Sequence, residues 1–327
     1  MPSLGRNTPV ILFRHGERRS YASKVMKAAV INEYGGPDVL KYADYPDPVP
    51  GGGEVLVRVA AAGINPVDMM ERAGLTKDWR PLQFPAVLGW DVAGSVLGLG
   101  PGVTGFSVGE RVLAWAYHTY AELCAVKAEL LAKVPEELDL VAAAALPLAT
   151  VTGNQLISVA AAPQSGQSVL VSGALGGVGR AALFTARSRG AKVIAGVRKQ
   201  QLEEAKSLGA DEVVALDDEA ALTRLAPVDV VANAVRGKTA ERLLGKVKPG
   251  GVYASVTGVP PNAREFPSVR TVAFVSKQDA NTLLYMANAV GAGKLAIPID
   301  RRLPLKDAAA AHAAVEKGGI GKVLLIP

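Results

Sequence analysis

One cysteine, Cys124, stands in 327 residues. That excludes an intramolecular disulfide and any multi-cysteine metal cluster, and it points to a reducing, cytoplasmic compartment. A lone Cys in an apolar segment reads as a small core residue rather than a nucleophile. Aromatic residues make up only 5% of the chain while Ala and Gly abound, which suits helices packed tightly on a sheet. No run of ~18 apolar residues occurs, so no membrane-spanning helix is expected. A general basic surface is missing too. The net charge is +6, yet residues 1–27 hold +5 of it, through Arg6, Arg14, Arg18, Arg19, Lys24 and Lys27 against Glu17. The remaining 300 residues come to about +1, so no nucleic-acid partner is expected.

What is present describes a globular protein, 49% hydrophobic and 20% charged, long enough for two domains and a large core. Residues 1–25 read as an upstream extension, a misassigned start or a targeting peptide ahead of Met26, which would itself serve as a start, and the favoured reading is a dispensable extension. They are Arg-rich, as transit peptides are, but Glu17 and the short apolar run Val10 to Phe13 fit that reading poorly.

The most informative stretch is Gln167-Ser-Val-Leu-Val-Ser-Gly-Ala-Leu-Gly-Gly-Val-Gly179. A short apolar run, Val169 to Val171, ends in a glycine-dense turn, and a helical segment, Arg180 to Arg189, follows at once. Strand, tight turn and helix present bare backbone N–H groups and a helix N-terminus to a pyrophosphate. Gly173, Gly176, Gly177 and Gly179 remove the side chains that would block that approach. Further strands are expected at Ala191–Gly196, Asp211–Ala215, Val228–Ala232, Gly251–Val256 and Thr271–Val275, with a helix from Lys199 to Leu208 closed by Gly209. This βαβαβ spacing fits a dinucleotide-binding sheet; the alternative is a flavodoxin-like sheet with a merely structural turn.

The flanking regions differ in kind. From Lys27 to about Pro147, short strands such as Glu54–Ala60, Val92–Leu97 and Arg111–Ala114 alternate with Gly- and Pro-rich turns, an all-β, barrel-like pattern. After about Ala296 come a strand, Ile297–Arg301, a helix, Leu305–Lys317, and a last strand, Lys322–Ile326. The Ala runs near 142–145 and 308–311 read as helix.

This order of pieces is similar to that of the medium-chain dehydrogenase/reductase superfamily, and more specifically resembles its zinc-independent quinone oxidoreductase branch, which includes the zeta-crystallins. The matching segments run from Met26 to Pro327. They include Gly35-Gly-Pro-Asp-Val-Leu40, Ala62-Gly-Ile-Asn-Pro-Val-Asp68, Phe84-Pro-Ala-Val-Leu-Gly89, Asp91-Val-Ala-Gly94, Val108-Gly-Glu-Arg-Val112, Ala143-Ala-Ala-Leu-Pro147, the turn at 172–179 and Gly321 to Pro327. The resemblance implies an α/β protein. A GroES-like β-barrel domain would span 26–147 and 296–327, and a Rossmann doubly wound parallel sheet 148–295. It also implies a homodimer joined through the sheet edge at Thr271 to Ser276.

Zinc-dependent relatives coordinate catalytic zinc with a Cys, a His and a third Cys or acidic group. The matching positions here are Asn65, Trp90 and Leu148, which cannot build the tetrahedron Zn²⁺ requires, so no metal is expected. The second strand should end in an Asp or Glu if the cofactor is NADH. No acid lies between Lys192 and Leu202; Arg198 and Lys199 stand there instead, suited to the 2′-phosphate of NADPH. The expected reaction is hydride transfer from NADPH to a quinone or to the β-carbon of an α,β-unsaturated carbonyl. Alcohol oxidation would need a Lewis acid or base that is not there.

By resemblance, Asn65 hydrogen-bonds the nicotinamide ribose or a substrate oxygen; otherwise it is a turn-forming Asn before Pro66. Asp68 anchors the loop, and Met70 stands where many relatives have Tyr. Thr150 and Thr152 open the linking helix near the nicotinamide, or cap it. Gly173, Ala174, Gly176, Gly177 and Val178 form the pyrophosphate turn. Asn233 lines the cofactor through its backbone, and Ser255, Thr257 and Gly258 face the carboxamide. Phe274 and Val275 bracket the cofactor amide or form a buried strand. His118 is the candidate general acid, against a solvated loop histidine, with Tyr117 an outside candidate. His15 falls in the extension and His312 in the C-terminal helix. Loops around Met70, Trp79, Trp90 and His118 choose the acceptor. Two other readings stand beside this one. One is an enoyl-thioester reductase, which would need a cationic groove for a phosphopantetheine arm. The other is a non-enzymatic NADPH-binding protein, crystallin-like or RNA-binding.

Overall fold

The computed structural model describes residues 25–318 and 321–327. Residues 1–24 of the expected extension, with Val10 to Phe13 and His15, lie outside the described residues, and Val25 already belongs to the first strand. Eight strands come first: β1 (Val25–Ile31), β2 (Lys41–Pro46), β3 (Glu54–Gly63), β4 (Ala86–Val87), β5 (Asp91–Leu99), β6 (Arg111–Trp115), β7 (Leu123–Lys127) and β8 (Leu131–Lys133). Helix α1 (Pro66–Arg72) follows β3. The alternation read in residues 54–60 is real: Val55, Val57 and Val59 are buried while Arg58 is exposed. β3 runs on to Gly63 because antiparallel partners continue on both sides, β5 along its length and the C-terminal strand at its end.

Helices α2 (Leu140–Ala143) and α3 (Pro147–Gln155) lead into the second layer. Six strands follow: β9 (Ser168–Ser172), β10 (Lys192–Val197), β11 (Glu212–Ala215), β12 (Val228–Asn233), β13 (Val247–Ser255) and β14 (Arg270–Ala273). They pair in the order β11-β10-β9-β12-β13-β14, all parallel. This is the doubly wound 3-2-1-4-5-6 order, whose switch point lies between β9 and β12. Val169 and Val171 pack into one core cluster and Leu170 into another, so both faces of β9 are covered. That is why its sequence is continuously apolar rather than alternating. Covering helices are α4 (Gly177–Ser188), α5 (Leu202–Ala205), α6 (Glu219–Arg224), α7 (Lys238–Leu244) and α8 (Ala280–Gly291). The chain then returns through β15 (Ile299–Pro304), α9 (Ala308–Lys317) and β16 (Lys322–Ile326) to the first layer, where the order is β15-β16-β3-β5-β6-β8 with β7 beside β3. No described helix is long and apolar enough to cross a membrane.

Several elements differ from expectation. α4 starts at Gly177 rather than Arg180, because Gly177 and Gly179 belong to its first turn. The helix expected over 199–208 is three short pieces, 3₁₀ at 199–201 and 206–208 around α5, closed by Gly209 at φ +66°. Only Ala205 of α5 is fully buried, so little packing enforces regular winding. β13 starts at Val247, and its register on β12 jumps from Val228↔Val247 to Val230↔Val252, a bulge around Pro249–Gly251. β15 starts two residues late, at Ile299, and the first turn before α9, Leu305–Asp307, is 3₁₀. The sixth parallel strand stops at Ala273 because β13 offers it no partner beyond Ser255. Phe274 and Val275 therefore are not the buried strand that was one expectation for them, and Val275 is 84% exposed.

Candidate active site

The glycine turn after β9 opens at the switch point. Gly173 has φ +67°, and a Cβ at Gly179 would lie 2.2 Å from the Gly173 carbonyl oxygen. Those two residues must be Gly for the turn to close on the helix. Gly176 differs. It is the N-cap of α4, and a Cβ there would meet only Gly173 O, at 3.3 Å, so the space above it is open. No side chain caps α4, and the N–H groups of Gly177, Val178 and Gly179 have no acceptor within the helix. Ala174 is buried and donates its N–H to Gly196 O at 3.2 Å, which ties the turn to β10. Open space over bare N–H groups at the start of a 12-residue helix fits a pyrophosphate.

The end of β10 holds a finding that the local sequence concealed. Lys199 Nζ pairs with Asp218 Oδ2 at 3.1 Å, and Lys199 N–H donates to Asp217 Oδ1 at 2.7 Å. Both acids follow β11, almost twenty residues away, and the parallel sheet delivers them. The Asp218 carboxyl is held below its usual range, first by the Ala221 N–H it caps and then by Lys199. Arg198 is exposed, and its guanidinium has no partner among the described residues. The two cations are therefore not equivalent.

At the ends of β9, β12 and β13 the polar side chains satisfy one another. Ser172 Oγ donates to Asn233 Oδ1 at 2.7 Å, and Asn233 Nδ2 donates to Val235 O, Ser255 Oγ and Thr257 Oγ1 at 2.8–3.1 Å. Thr257 Oγ1 also donates to Val235 O at 2.8 Å. With those side chains engaged, the cluster offers the crevice chiefly backbone. Gly258, at φ +95° with nothing near its missing Cβ, is its open rim. Phe274 N–H donates to Ser255 O at 2.8 Å, and the strap after it ties to α3 through Thr152–Ser276 (2.7 Å) and Gln155–Lys277 (2.9 and 3.0 Å). Gln278 Nε2 then reaches Trp115 O in the first layer at 2.8 Å.

Across the crevice, Asn65 is 3% exposed, at the N-cap position of α1. Lys322 Nζ donates to Asn65 Oδ1 and to Asp91 Oδ2, each at 2.8 Å, and Asn65 Nδ2 donates to Asp91 Oδ2 at 2.8 Å. An ammonium can only donate, so the orientation of the Asn65 amide is fixed by chemistry. Asp91 Oδ1 accepts from Leu148 N–H at 2.7 Å. Asp91, not a threonine, thus caps α3. The expected capping by Thr150 or Thr152 is corrected: Leu146 is the N-cap, both threonines sit inside the helix, and Thr150 Oγ1 bonds Leu146 O at 2.8 Å. Gly63, opposite Asp91 in the β3–β5 register, makes room for this group. A Cβ there would lie 2.9 Å from Asp91 Oδ2 and 3.0 Å from Lys322 Cε. Asp91 and Lys322 fall within the segments that carry the family resemblance, yet sequence reasoning gave neither a role. The available signal was one acid and one lysine heading otherwise apolar strands.

Trp90 is buried and donates Nε1–H to Glu71 Oε2 at 2.9 Å. Glu71 Oε1 accepts from Arg80 Nε at 2.7 Å. Tyr117, Trp79 and Trp115 surround Trp90 with ring centroids 4.9–6.1 Å away. His118 is on this loop, exposed, with φ +62° and Nδ1 2.8 Å from Val87 O. That carbonyl assigns the proton to Nδ1. No hydrogen bond joins His118 to the Asn65 group among the described residues. Met70 is half-buried on α1.

Beneath α1, Asp68 Oδ2 accepts from Asn65 N–H (2.7 Å) and from Tyr120 OH (2.8 Å), and Tyr120 OH is 3.2 Å from His312 Nε2. Arg72 Nη1 lies 3.1 Å from His312 Nδ1, and Nη2 pairs with Glu316. Burial raises Asp68 well above the usual carboxylate range, and burial followed by Asp68 raises Tyr120. Burial, then the Arg72 charge, lowers His312 to about 3. Burial pushes Cys124 up to about 12, as for a core thiol.

Two family models match the chain: one described as an alcohol dehydrogenase GroES-like domain, over residues 51–136, and one described as a zinc-binding dehydrogenase, over residues 208–325. Among curated proteins, the chain is 31% identical to a chloroplast envelope quinone oxidoreductase homolog of Arabidopsis thaliana, covering 94% of this chain and 100% of that one. It is 33% identical to a 2-haloacrylate reductase of a Burkholderia species, covering 93% and 99%. Among solved structures, a mycobacterial protein complexed with NADPH superposes with TM-score 0.81 at 31% identity, covering 92% of this chain and 100% of that one.

Proposed function

The chain belongs to the quinone oxidoreductase branch of the medium-chain dehydrogenase/reductase superfamily, and from that premise we propose that it is an NADPH-dependent reductase of quinones or α,β-unsaturated carbonyls that works without zinc. Membership makes it an NAD(P)-dependent oxidoreductase. One observation carries the finer reading: the Lys322 ammonium, which can only donate, holds Asn65 Oδ1 and Asp91 Oδ2 at 2.8 Å, so the oxygens a zinc would need are already bonded to a cation, while the Trp90 indole turns away to Glu71. Among the described residues no three His, Cys, Asp or Glu side chains converge on one point. The names of the relatives favour a quinone or an activated alkene as acceptor.

A bound NADPH would supply the hydride. The protein's own part is binding and orientation. The N–H groups of Gly177, Val178 and Gly179 hold the pyrophosphate, Arg198 the 2′-phosphate, and the backbone after Asn233 and Ser255, with Phe274, lines the nicotinamide end. Asn65 has a second amide proton and Lys322 a third ammonium proton, neither with a protein partner among the described residues. These donors face the ribose or the acceptor oxygen, where developing negative charge needs them. Solvent supplies the final proton, so His118→Ala should change turnover less than about threefold. On this reading residues 26–147 and 296–327 form the catalytic unit, 148–295 the cofactor unit, and the free edge of β14 joins two copies.

The test is NADPH oxidation with 9,10-phenanthrenequinone and with an enone, before and after chelator treatment, alongside metal analysis. Turnover that survives chelation on metal-free protein supports the proposal. Zinc-dependent turnover, or NADPH binding with no turnover on any quinone or enone, rejects it.

A further inference from the structure

We propose that Arg80 is an acceptor-recognition residue and that the acceptor is a planar molecule carrying a carboxylate. The proposal rests on the reductase reading above and names the substrate class of that site.

Arg80 is held both by its loop, through its N–H on Thr76 O at 2.7 Å, and by the groups around its side chain. Its guanidinium carbon lies 3.5 Å from the Tyr117 ring centroid and 5.7 Å from that of Trp90, so the charged plane is stacked and fixed. Nε is spent on Glu71, which is itself buried and fully used by Arg80 and Trp90. The Nη1–Nη2 fork is left over. Among the described residues neither Nη has a hydrogen-bond partner, and neither is closed off from solvent. A fixed, stacked fork with two free donors matches the geometry of a carboxylate. Lysine could not reproduce it.

The walls beside the fork are aromatic. Trp79 is 61% exposed and stands edge-on to Trp90, and Tyr117 closes the other side. An exposed tryptophan held this way offers a face to a flat ligand. The site adjoins the chemistry through α1: Asn65 is its N-cap, and Glu71, which holds Arg80, sits in its last turn, about 9 Å further along the helix. On this proposal a flat acceptor runs from the Arg80 fork toward the Asn65–Lys322 donors. Glu71 neutralises the Arg80 charge without occupying the fork, so the site selects by directed hydrogen bonds more than by net charge.

The chain's three tryptophans, Trp79, Trp90 and Trp115, all belong to this cluster. Selectively excited tryptophan emission therefore comes from this cluster, whether or not turnover occurs. The experiment titrates the full chain, in the presence of NADP⁺, with trans-cinnamate and with the isosteric cinnamamide, in wild type and Arg80→Lys. That substitution keeps a positive charge that can still pair with Glu71 and removes the planar fork. Wild type should bind cinnamate about tenfold or more tightly than the amide, and Arg80→Lys should bind both equally. Equal binding by wild type, or a preference that survives Arg80→Lys, overturns the proposal. Parallel assays compare 3-benzoylacrylate with its methyl ester. Turnover of both without preference defeats the Arg80 proposal and leaves the reductase reading standing, whereas a fluorescence preference with no turnover of either does the reverse.

Discussion

Lys322 Nζ lies 2.8 Å from Asp91 Oδ2, and the carboxylate is wholly buried while the lysine is 11% exposed. The pair spans the chain from the start of β5 to the start of the last strand. Removing one partner leaves the other's charge buried, which costs more than the pair contributes net. Lys322→Met should therefore lower unfolding free energy by about 3 kcal/mol, read from denaturant midpoints. Lys322→Met with Asp91→Asn should recover part of that loss, because no bare charge remains. A single variant within about 0.5 kcal/mol of wild type would show that the pair is not coupled.

Two glycines three residues apart should behave oppositely. Gly176→Ala places its methyl in open space, 3.3 Å from one carbonyl oxygen. Stability should stay within about 1 kcal/mol, while NADPH affinity falls tenfold or more because the methyl occupies the pyrophosphate's approach. Gly179→Ala drives a methyl to 2.2 Å from Gly173 O and should cost several kcal/mol, about 2–4. Calorimetry for binding and thermal unfolding for stability separate the two. A Gly176→Ala variant that binds NADPH normally would relocate the cofactor.

The sequence carried the frame of this fold because its signals are local. Val169 to Ser172, Gly173 to Gly179 and the short strands that follow need only neighbours in the chain to be read. Lys199 shows where that ends. It looked like a partner for phosphate, but Asp217 and Asp218 become its neighbours only after β10 and β11 pair. Asn65 could be singled out from its own segment, while Asp91 and Lys322, which fix its amide, could not. Their meeting requires β5 and β16 to flank the end of β3, a tertiary fact without a local pattern. The pairing of Arg80 with Glu71 and Trp90 was hidden for the same reason.

The unequal state of the two cations after β10 predicts unequal effects. Arg198→Ala should raise KM for NADPH about tenfold or more and leave KM for NADH unchanged, since it removes a charge-assisted contact to the 2′-phosphate alone. Lys199→Ala should do less than Arg198→Ala, because Asp218 already holds that side chain. Steady-state kinetics with both cofactors decide it. If Arg198→Ala has no effect and Asp218→Ala weakens NADH, the preference lies with the acids, and the chain is an NADH enzyme.

His312 makes stability depend on acid in a direction the structure fixes. It is fully buried between Arg72, which can only donate to Nδ1, and Tyr120, which accepts from Nε2–H and passes the chain on to Asp68. The ring is thus neutral in the folded state, and its pKa is about 3 rather than 6.5. As pH falls through about 6.5 the unfolded chain takes up a proton that the folded one refuses, so His312 favours unfolding progressively down to pH 3. Asp68 works in the opposite sense. Its raised pKa keeps a proton in the folded state that the unfolded chain has released, so its contribution worsens as pH rises above about 4. Comparing wild type with His312→Gln cancels Asp68, since Gln can still accept from Arg72 and donate to Tyr120. Between pH 6.5 and 4.5 wild type should lose about 2–3 kcal/mol more than His312→Gln, at roughly 1.4 kcal/mol per pH unit. In the folded protein the His312 ring resonances should not titrate above pH 4 by NMR. Equal pH slopes in the two proteins, or a titration near 6.5, would mean that the ring is charged and the Arg72 contact is broken.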